Sequence, residues 1–348
     1  MKNMKAIIKY EKGIKKVKLG EMPIPESKKG EVRIKIKVAG ICGTDLHIYY
    51  DDIYPTNPPV ILGHEISGII DSLGEGVEGI SVGERVTSET YYYTCGTCCY
   101  CRTGRNNLCN KRLSIGSGVN GGFTEYLVVP AKNIHRIPSN ISFEEAAMTE
   151  PLACCIQAVL EKTKITPGDN VLITGPGAIG LLCLQLIKAS GAQCILVGVP
   201  KDADRLKLAE KLGADLILDT SNKELANSIE KYCNNIGPDI VLECSGAEAA
   251  AKLCLDVIKK GGIYTQVGLF SRPITMDLTR FTLKELVLNG TFAQKWPSWE
   301  KAIKLLSKGL VKTKPLISEV MPLEQWEEAF DKSSKGMGIK YLLTPLKK

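Results

Sequence analysis

Six short runs rich in β-branched residues recur between residues 165 and 292: Val171–Thr174, Ile195–Val199, Leu216–Asp219, Ile240–Cys244, Ile263–Val267 and Leu286–Phe292. Their starts fall roughly 23 residues apart, about what a strand, a helix and two short loops consume. Helical patterns fill the gaps, at Ile179–Ser190, Asp202–Leu212, Glu224–Cys233 and Ala247–Lys260. Strands alternating with helices in this way form a parallel, doubly wound sheet, because each crossover helix must pack back on the sheet it left. The chain is therefore expected to be an α/β protein with that sheet as one domain.

The first 150 residues obey a different rule. Val32, Ile34, Ile36 and Val38 alternate with charged residues, and Gly and Pro punctuate the chain, which predicts an antiparallel, partly barrelled β-domain. Helical patterns return at Trp299–Lys308 and Leu323–Lys332, and a last strand, Lys340–Thr344, is placed to rejoin the first domain. With 348 residues and 44% apolar composition there is enough chain for two cores. The expected division is 1–155 with 293–348 for the β-rich domain and 156–292 for the doubly wound one.

No run approaches the roughly 18 apolar residues that span a bilayer, and the start MKNMKAIIKYEKG lacks the pattern of a secretory signal. A cytoplasmic protein with no membrane partner is expected. The net charge of +7 is spread over scattered lysines with acids between them, so no nucleic-acid partner is expected either.

An odd count of 13 cysteines in a reducing compartment argues for metal ligands or buried thiols over disulfides. Cys95, Cys98, Cys101 and Cys109 crowd one loop at spacings suited to a closed tetrahedral zinc, which would pin a long loop by metal bonds. Cys99 falls outside that frame. A zinc module for nucleic acid is disfavoured because the loop has few basic residues and no recognition helix. A second set is dispersed: Cys42 in AGICGTDLH, His64 and Glu65 in LGHEISG, and Glu150 in MTEPLACC. Thiolate, imidazole and carboxylate are the donors of a catalytic zinc that keeps one position open.

Gly175-Pro176-Gly177-Ala178-Ile179-Gly180 follows the first apolar run of the sheet and opens a helix. That context makes it a site for a dinucleotide pyrophosphate at a helix N-terminus. The acid expected at the end of the next strand, to hold the adenosine ribose, is missing; Val199 and Pro200 stand there, with Asp202 two positions on. Lys201 and Arg205 instead suit a 2′-phosphate, which favours NADP over NAD.

Taken together, these residues resemble the zinc-containing medium-chain dehydrogenase/reductase (alcohol dehydrogenase) superfamily. The match spans the chain: Cys42 to His47, Gly63-His64-Glu65-x-x-Gly68, Gly83-Glu84-Arg85-Val86, the four-cysteine lobe, Asn120-Gly121-Gly122-Phe123, Glu150-Pro151 and the glycine motif. Glu150 in place of a cysteine resembles the polyol (sorbitol-like) and threonine dehydrogenase branch. The resemblance implies a GroES-like β-rich catalytic domain, a Rossmann domain, and two zinc ions per subunit. Cys42 and His64 would ligate the catalytic zinc, with Glu65 and Glu150 supplying the rest directly or through water. Thr44 would relay the alcohol proton, with His47 as the onward step. Cofactor contacts implied in the same way are Ile179, Arg205, Val267-Gly268-Leu269 and Phe292-Ala293-Gln294.

The activity implied is zinc-dependent hydride transfer between a polyol or secondary alcohol, or the matching ketose or ketone, and NAD(P). Ala293 and Gln294 replace the Arg-Tyr pair usual in sorbitol-type members, so threonine-like and sugar-alcohol-phosphate substrates stand as alternatives. A zinc-free reductase would have no use for the metal donors, and a non-enzymatic NADP(H)-binding sensor would need at most one zinc. Relatives are dimers or tetramers, which implies a homo-oligomer, with Leu286–Phe292 as a candidate contact.

Overall fold

The computed structural model describes residues 2–345; Met1 and the last three residues of the expected 293–348 segment lie outside the described residues. The chain divides into two compact units, one comprising Met1–Pro151, Gln294–Lys308 and Thr313–Lys348, the other Leu152–Ala293 and Gly309–Lys312.

The second unit holds a six-stranded, all-parallel sheet. Its spatial order is Leu216–Asp219, Gln193–Gly198, Asn170–Thr174, Ile240–Glu243, Ile263–Gln266 and Val287–Gly290. This is the doubly wound arrangement expected from the spacing of the apolar runs, with the chain reversing direction between the third and fourth strands in space. The central strands are continuously buried, NVLIT from its second residue and IVLE throughout, as a sheet covered on both faces requires. Helix Ala178–Ala189 buries every residue from Gly180 to Ile187, so it lies inside the unit.

Most boundaries shift by a residue or more from the sequence reading, as where Leu286–Phe292 shortens to Val287–Gly290, and one shift bears on the site. The second strand stops at Gly198, and Pro200–Asp202 forms a 3-10 turn before helix Ala203–Lys211. The Asp202 carboxylate accepts the Val199 backbone N–H at 3.1 Å, so it caps the turn and holds Val199 in extended backbone. Helix Thr149–Ile156 runs into a π-helical segment, Gln157–Thr163, which the sequence reading does not place.

The first unit is built on strand Glu31–Gly40. Its alternation places Val32, Ile34 and Ile36 fully inside, against Ile66, Ile70, Leu127, Phe123 and Phe330. This strand pairs with Glu65–Leu73, Tyr126–Pro130 and Lys340–Thr344, so the returning C-terminal strand is zipped into the sheet of the first 150 residues. No helix of the described residues is long and apolar enough to cross a membrane.

Candidate active site

Strand register explains how three of the four dispersed candidate metal donors, Cys42, His64 and Glu65, meet; Glu150 lies outside that group. Gly40 pairs with Glu65, so Cys42, two residues past the end of one strand, comes beside His64, one residue before the other. Ligand atoms of Cys42, His64 and Glu65 all lie within 4.8 Å of one another. Gly40 has to be glycine here, since a Cβ on it would stand 2.1 Å from Glu65 Oε2.

Several residues that sequence reading did not single out hold these donors. Asp45, fully buried on helix Gly43–Tyr50, accepts the Cys42 N–H at 2.9 Å and the Gly63 N–H at 3.3 Å. Its Oδ1 lies 3.8 Å from His64 Nδ1. Burial pushes the Asp45 carboxyl above its usual range, against the pull of His64. Burial would likewise discharge His64, but Asp45 and Cys42 outweigh it and hold the imidazole well above its ordinary value. The capping-box position of Asp45, three residues after Cys42, was the signal available in the sequence. Lys340 carried none: its Nζ donates to both Glu65 oxygens at 2.8 Å and to the Ile41 carbonyl at 2.9 Å, all buried.

Glu150 is almost fully buried, and burial raises its carboxyl to about 7, with His64 opposing and Glu65 reinforcing. It accepts Gln294 Nε2 at 2.9 Å, and Tyr91 Oη donates to the Gln294 carbonyl at 2.5 Å. The side chain of Gln294, expected among the cofactor contacts, is thus engaged with Glu150. Thr44 is half-buried on the first turn of helix Gly43–Tyr50, and His47, one turn on, has Nδ1 at 2.9 Å from both Asp52 oxygens. His135 is a core residue, stacked on Trp299 at 5.4 Å and bonded to Glu300 at 2.6 Å.

In the four-cysteine lobe, Cys95 Sγ stands 3.9 Å from Cys101 Sγ and 3.6 Å from Cys109 Sγ. A tetrahedron with Zn–S bonds of about 2.3 Å has edges of about 3.8 Å, so the donor set fits zinc. Backbone N–H groups of Cys98 and Thr97 hold the Cys95 thiol down at about 6, which favours the thiolate that binds metal. Cys99 is exposed and outside this group. The helical turns of the lobe are short, Cys99–Arg102 and the 3-10 turn Asn106–Leu108, and Arg105 and Arg112 lie over the lobe's own Tyr100 and Tyr91 rings.

The three glycines of the dinucleotide motif do different work. Gly175 has φ +94°, which a side chain would strain, and Gly180 packs so closely that a Cβ would meet the Gly175 carbonyl at 2.0 Å. Gly177, the residue before helix Ala178–Ala189, has nothing within 4 Å of its Cβ position. A tight turn, an open approach to helix N–H groups and a close crossing are what a pyrophosphate cradle needs, and Ala178 and Ile179 form its first helical turn. Val199 is partly exposed and Lys201 exposed, while Arg205 Nη1 lies 3.1 Å from Asp202 Oδ1. Asp202 is therefore engaged by the Val199 N–H and by Arg205. The Val267 and Gly268 N–H groups donate to the Glu243 carbonyl, leaving Leu269 exposed beyond them. The Phe292 carbonyl accepts Gln157 Nε2 at 2.9 Å, and Ala293 follows at φ +55°.

Two family models match the chain: the alcohol dehydrogenase GroES-like domain over residues 28–139 and the zinc-binding dehydrogenase over residues 178–308. The chain is 42% identical to a sorbitol dehydrogenase of Halalkalibacterium halodurans, covering 99% of this chain and 100% of that protein. It is 40% identical to a D-arabitol-phosphate dehydrogenase of Enterococcus avium, covering 98% and 97%. Among solved structures, a zinc-binding dehydrogenase from Sinorhizobium meliloti bound to NADP superposes with a TM-score of 0.92 at 31% identity, covering 99% and 100%.

Proposed function

This chain belongs to the zinc-dependent alcohol dehydrogenase family, and from that premise we propose that it oxidises a polyol or related secondary alcohol with a nicotinamide dinucleotide, NADP in preference to NAD. The observation that carries the polyol reading is a pair of buried carboxylates: Glu65, gathered with the Cys42 thiol and the His64 imidazole, and Glu150, which feels the charges of His64 and Glu65. Such an acid-rich site suits a substrate with a second hydroxyl beside the reacting one. Sorbitol and D-arabitol phosphate, the substrates named for the two relatives, are both polyols.

Zinc, if bound, would supply Lewis acidity toward the alcohol oxygen, and a bound nicotinamide would supply the hydride acceptor. Cys42, His64 and the carboxylates Glu65 and Glu150 are its donors. Asp45 supplies a negative charge 3.8 Å from His64 Nδ1, on the side where outer partners of a metal-binding histidine sit. Lys340 holds Glu65 from behind and Gln294 orients Glu150. Thr44 takes the hydroxyl proton, and His47, paired with Asp52, passes it outward. Cys95, Cys98, Cys101 and Cys109 hold a second, structural zinc. Gly175, Gly177, Ala178, Ile179 and Gly180 receive the pyrophosphate, with Val267, Gly268, Leu269, Phe292 and Ala293 completing the contacts.

The NADP preference is supported by Val199 in place of the ribose-binding acid, and by Lys201 and Arg205 beside it. Asp202 is already occupied as a cap. The edge strand Val287–Gly290 exposes Val287 and Leu288, which suits pairing with a second copy in a homodimer or homotetramer. The enzyme would work in the cytoplasm.

Metal analysis joined to a substrate panel tests the proposal. Two zinc ions per chain, turnover of polyols above L-threonine, and a higher kcat/KM with NADP are expected. One zinc or fewer, or turnover confined to L-threonine, overturns the polyol reading; a kcat/KM with NAD at least as high overturns the cofactor preference.

A further inference from the structure

Glu243 ends the strand that borders the point where the sheet reverses direction, and it is fully buried. Its carboxylate collects five donor groups: the Ser245 N–H at 2.8 Å, the Ser245 hydroxyl, the Gly246 N–H at 3.1 Å, Gln266 Nε2 at 2.6 Å and the Thr174 hydroxyl at 3.4 Å. Backbone and amide N–H groups only donate, so this surrounding suits the negatively charged form.

Three glycine-bearing turns close over that carboxylate. Gly175 follows Thr174 and would strike Ser245 with a Cβ at 2.8 Å, Gly246 donates to the carboxylate, and a Cβ on Gly268 would meet Glu243 Oε2 at 2.8 Å. These turns form the carboxyl edge of the sheet, where a doubly wound fold binds its ligand. The pyrophosphate cradle lies beside strand Asn170–Thr174, and the adenosine side lies at Val199, after the strand on one flank. The other half of the dinucleotide must then cross to the opposite flank, over strands Ile240–Glu243 and Ile263–Gln266.

We infer that Glu243 is a positioning and selectivity residue for the nicotinamide half: its carboxylate sets the turns at Gly246 and Gly268 that receive the ring, beside the Gly175 turn that takes the pyrophosphate, and its buried charge favours the cationic, oxidised ring over the neutral, reduced one. The inference rests on the dinucleotide reading above. Fixing the turns acts equally on both redox forms. The charge acts on one, and a unit charge pair about 12 Å apart at an effective dielectric of about 20 is worth on the order of tenfold in affinity.

The test is equilibrium binding of NADP+ and NADPH to the zinc-loaded protein, followed by tryptophan quenching and reduced-cofactor fluorescence, for wild type, Glu243→Gln and Glu243→Asp. Glu243→Gln should weaken NADP+ on the order of tenfold more than NADPH, while Glu243→Asp, which keeps the charge on a shorter stem, weakens both alike. A merely structural carboxylate would change both affinities by the same factor, and an unchanged Kd ratio in the Gln variant overturns the inference. Should that variant not fold, Ser245→Ala removes one hydroxyl donor and leaves more of the charge uncompensated. NADP+ should then gain on NADPH, and an unchanged or reversed ratio overturns the inference. Failure of wild type to bind either nucleotide refutes the dinucleotide reading itself, a different outcome from an unaltered ratio.

Discussion

Replacing Lys340 with methionine removes an ammonium group but keeps most of the stem's volume, so the loss falls on its three hydrogen bonds. Two of them satisfy both oxygens of Glu65, which has no exposed surface, and the third satisfies the Ile41 carbonyl. Breaking a buried pair from one side costs about 3–5 kcal/mol, because the surviving charge stays desolvated. For a unit of about two hundred residues, where 1 kcal/mol moves the melting point by about 2–4 °C, Lys340→Met should melt about 6–20 °C below wild type. Circular dichroism melts of the zinc-free protein measure the shift directly. Neutralising the stranded acid should restore part of the loss, so Glu65→Gln/Lys340→Met should melt above Lys340→Met alone. A single variant within about 1 kcal/mol of wild type, or a double variant that shows no recovery, would refute the claim that this pair holds the metal-donor cluster.

The glycine motif gives a paired prediction: Gly180→Ala should destabilise the protein by about 2 kcal/mol or more, because its Cβ cannot clear the Gly175 carbonyl, whereas Gly177→Ala should melt within about 1 kcal/mol of wild type yet bind dinucleotide more weakly. Melting curves and nucleotide titrations separate the two. In zinc-free protein the raised Glu150 carboxyl favours the protonated fold, so its own contribution to stability is full below about 4.5 and is lost as pH rises through about 7. Glu150→Gln should abolish that decline, and matching pH–melting profiles for the two proteins would contradict it. Cys98→Ser should lower the zinc content by one ion per chain while Cys42→Ser lowers it by the other, as measured by atomic emission; loss of both ions in either variant would contradict two independent sites.

Much of the molecule was legible in the chain because the relevant forces are local. The apolar runs near 171, 195, 216, 240, 263 and 287 mark the strands of the doubly wound sheet, since burial on both faces of the central strands demands unbroken apolar residues and the short edge strands at 216 and 287 keep the same spacing. The cysteine lobe announced itself because four thiols within fifteen residues can reach one ion without help from the rest of the fold. The Asp202 cap was less legible: Val-Pro-Lys-Asp leaves two registers for the acid, and only the 3-10 turn forced after Val199 decides between them.

The sequence by itself determined the donor types and the glycine turn, because residue chemistry and short-range geometry suffice for both. Tertiary structure alone decided what those donors lean on. Lys340 and Glu65 are 275 positions apart, and Gln294 and Glu150 are 144 apart, so neither pairing leaves any periodicity or spacing to read. Register is the reason they meet. The C-terminal strand zips against Gly40, Gly40 faces Glu65, and a lysine one turn of the pleat away is carried to where its ammonium reaches both oxygens of that buried carboxylate.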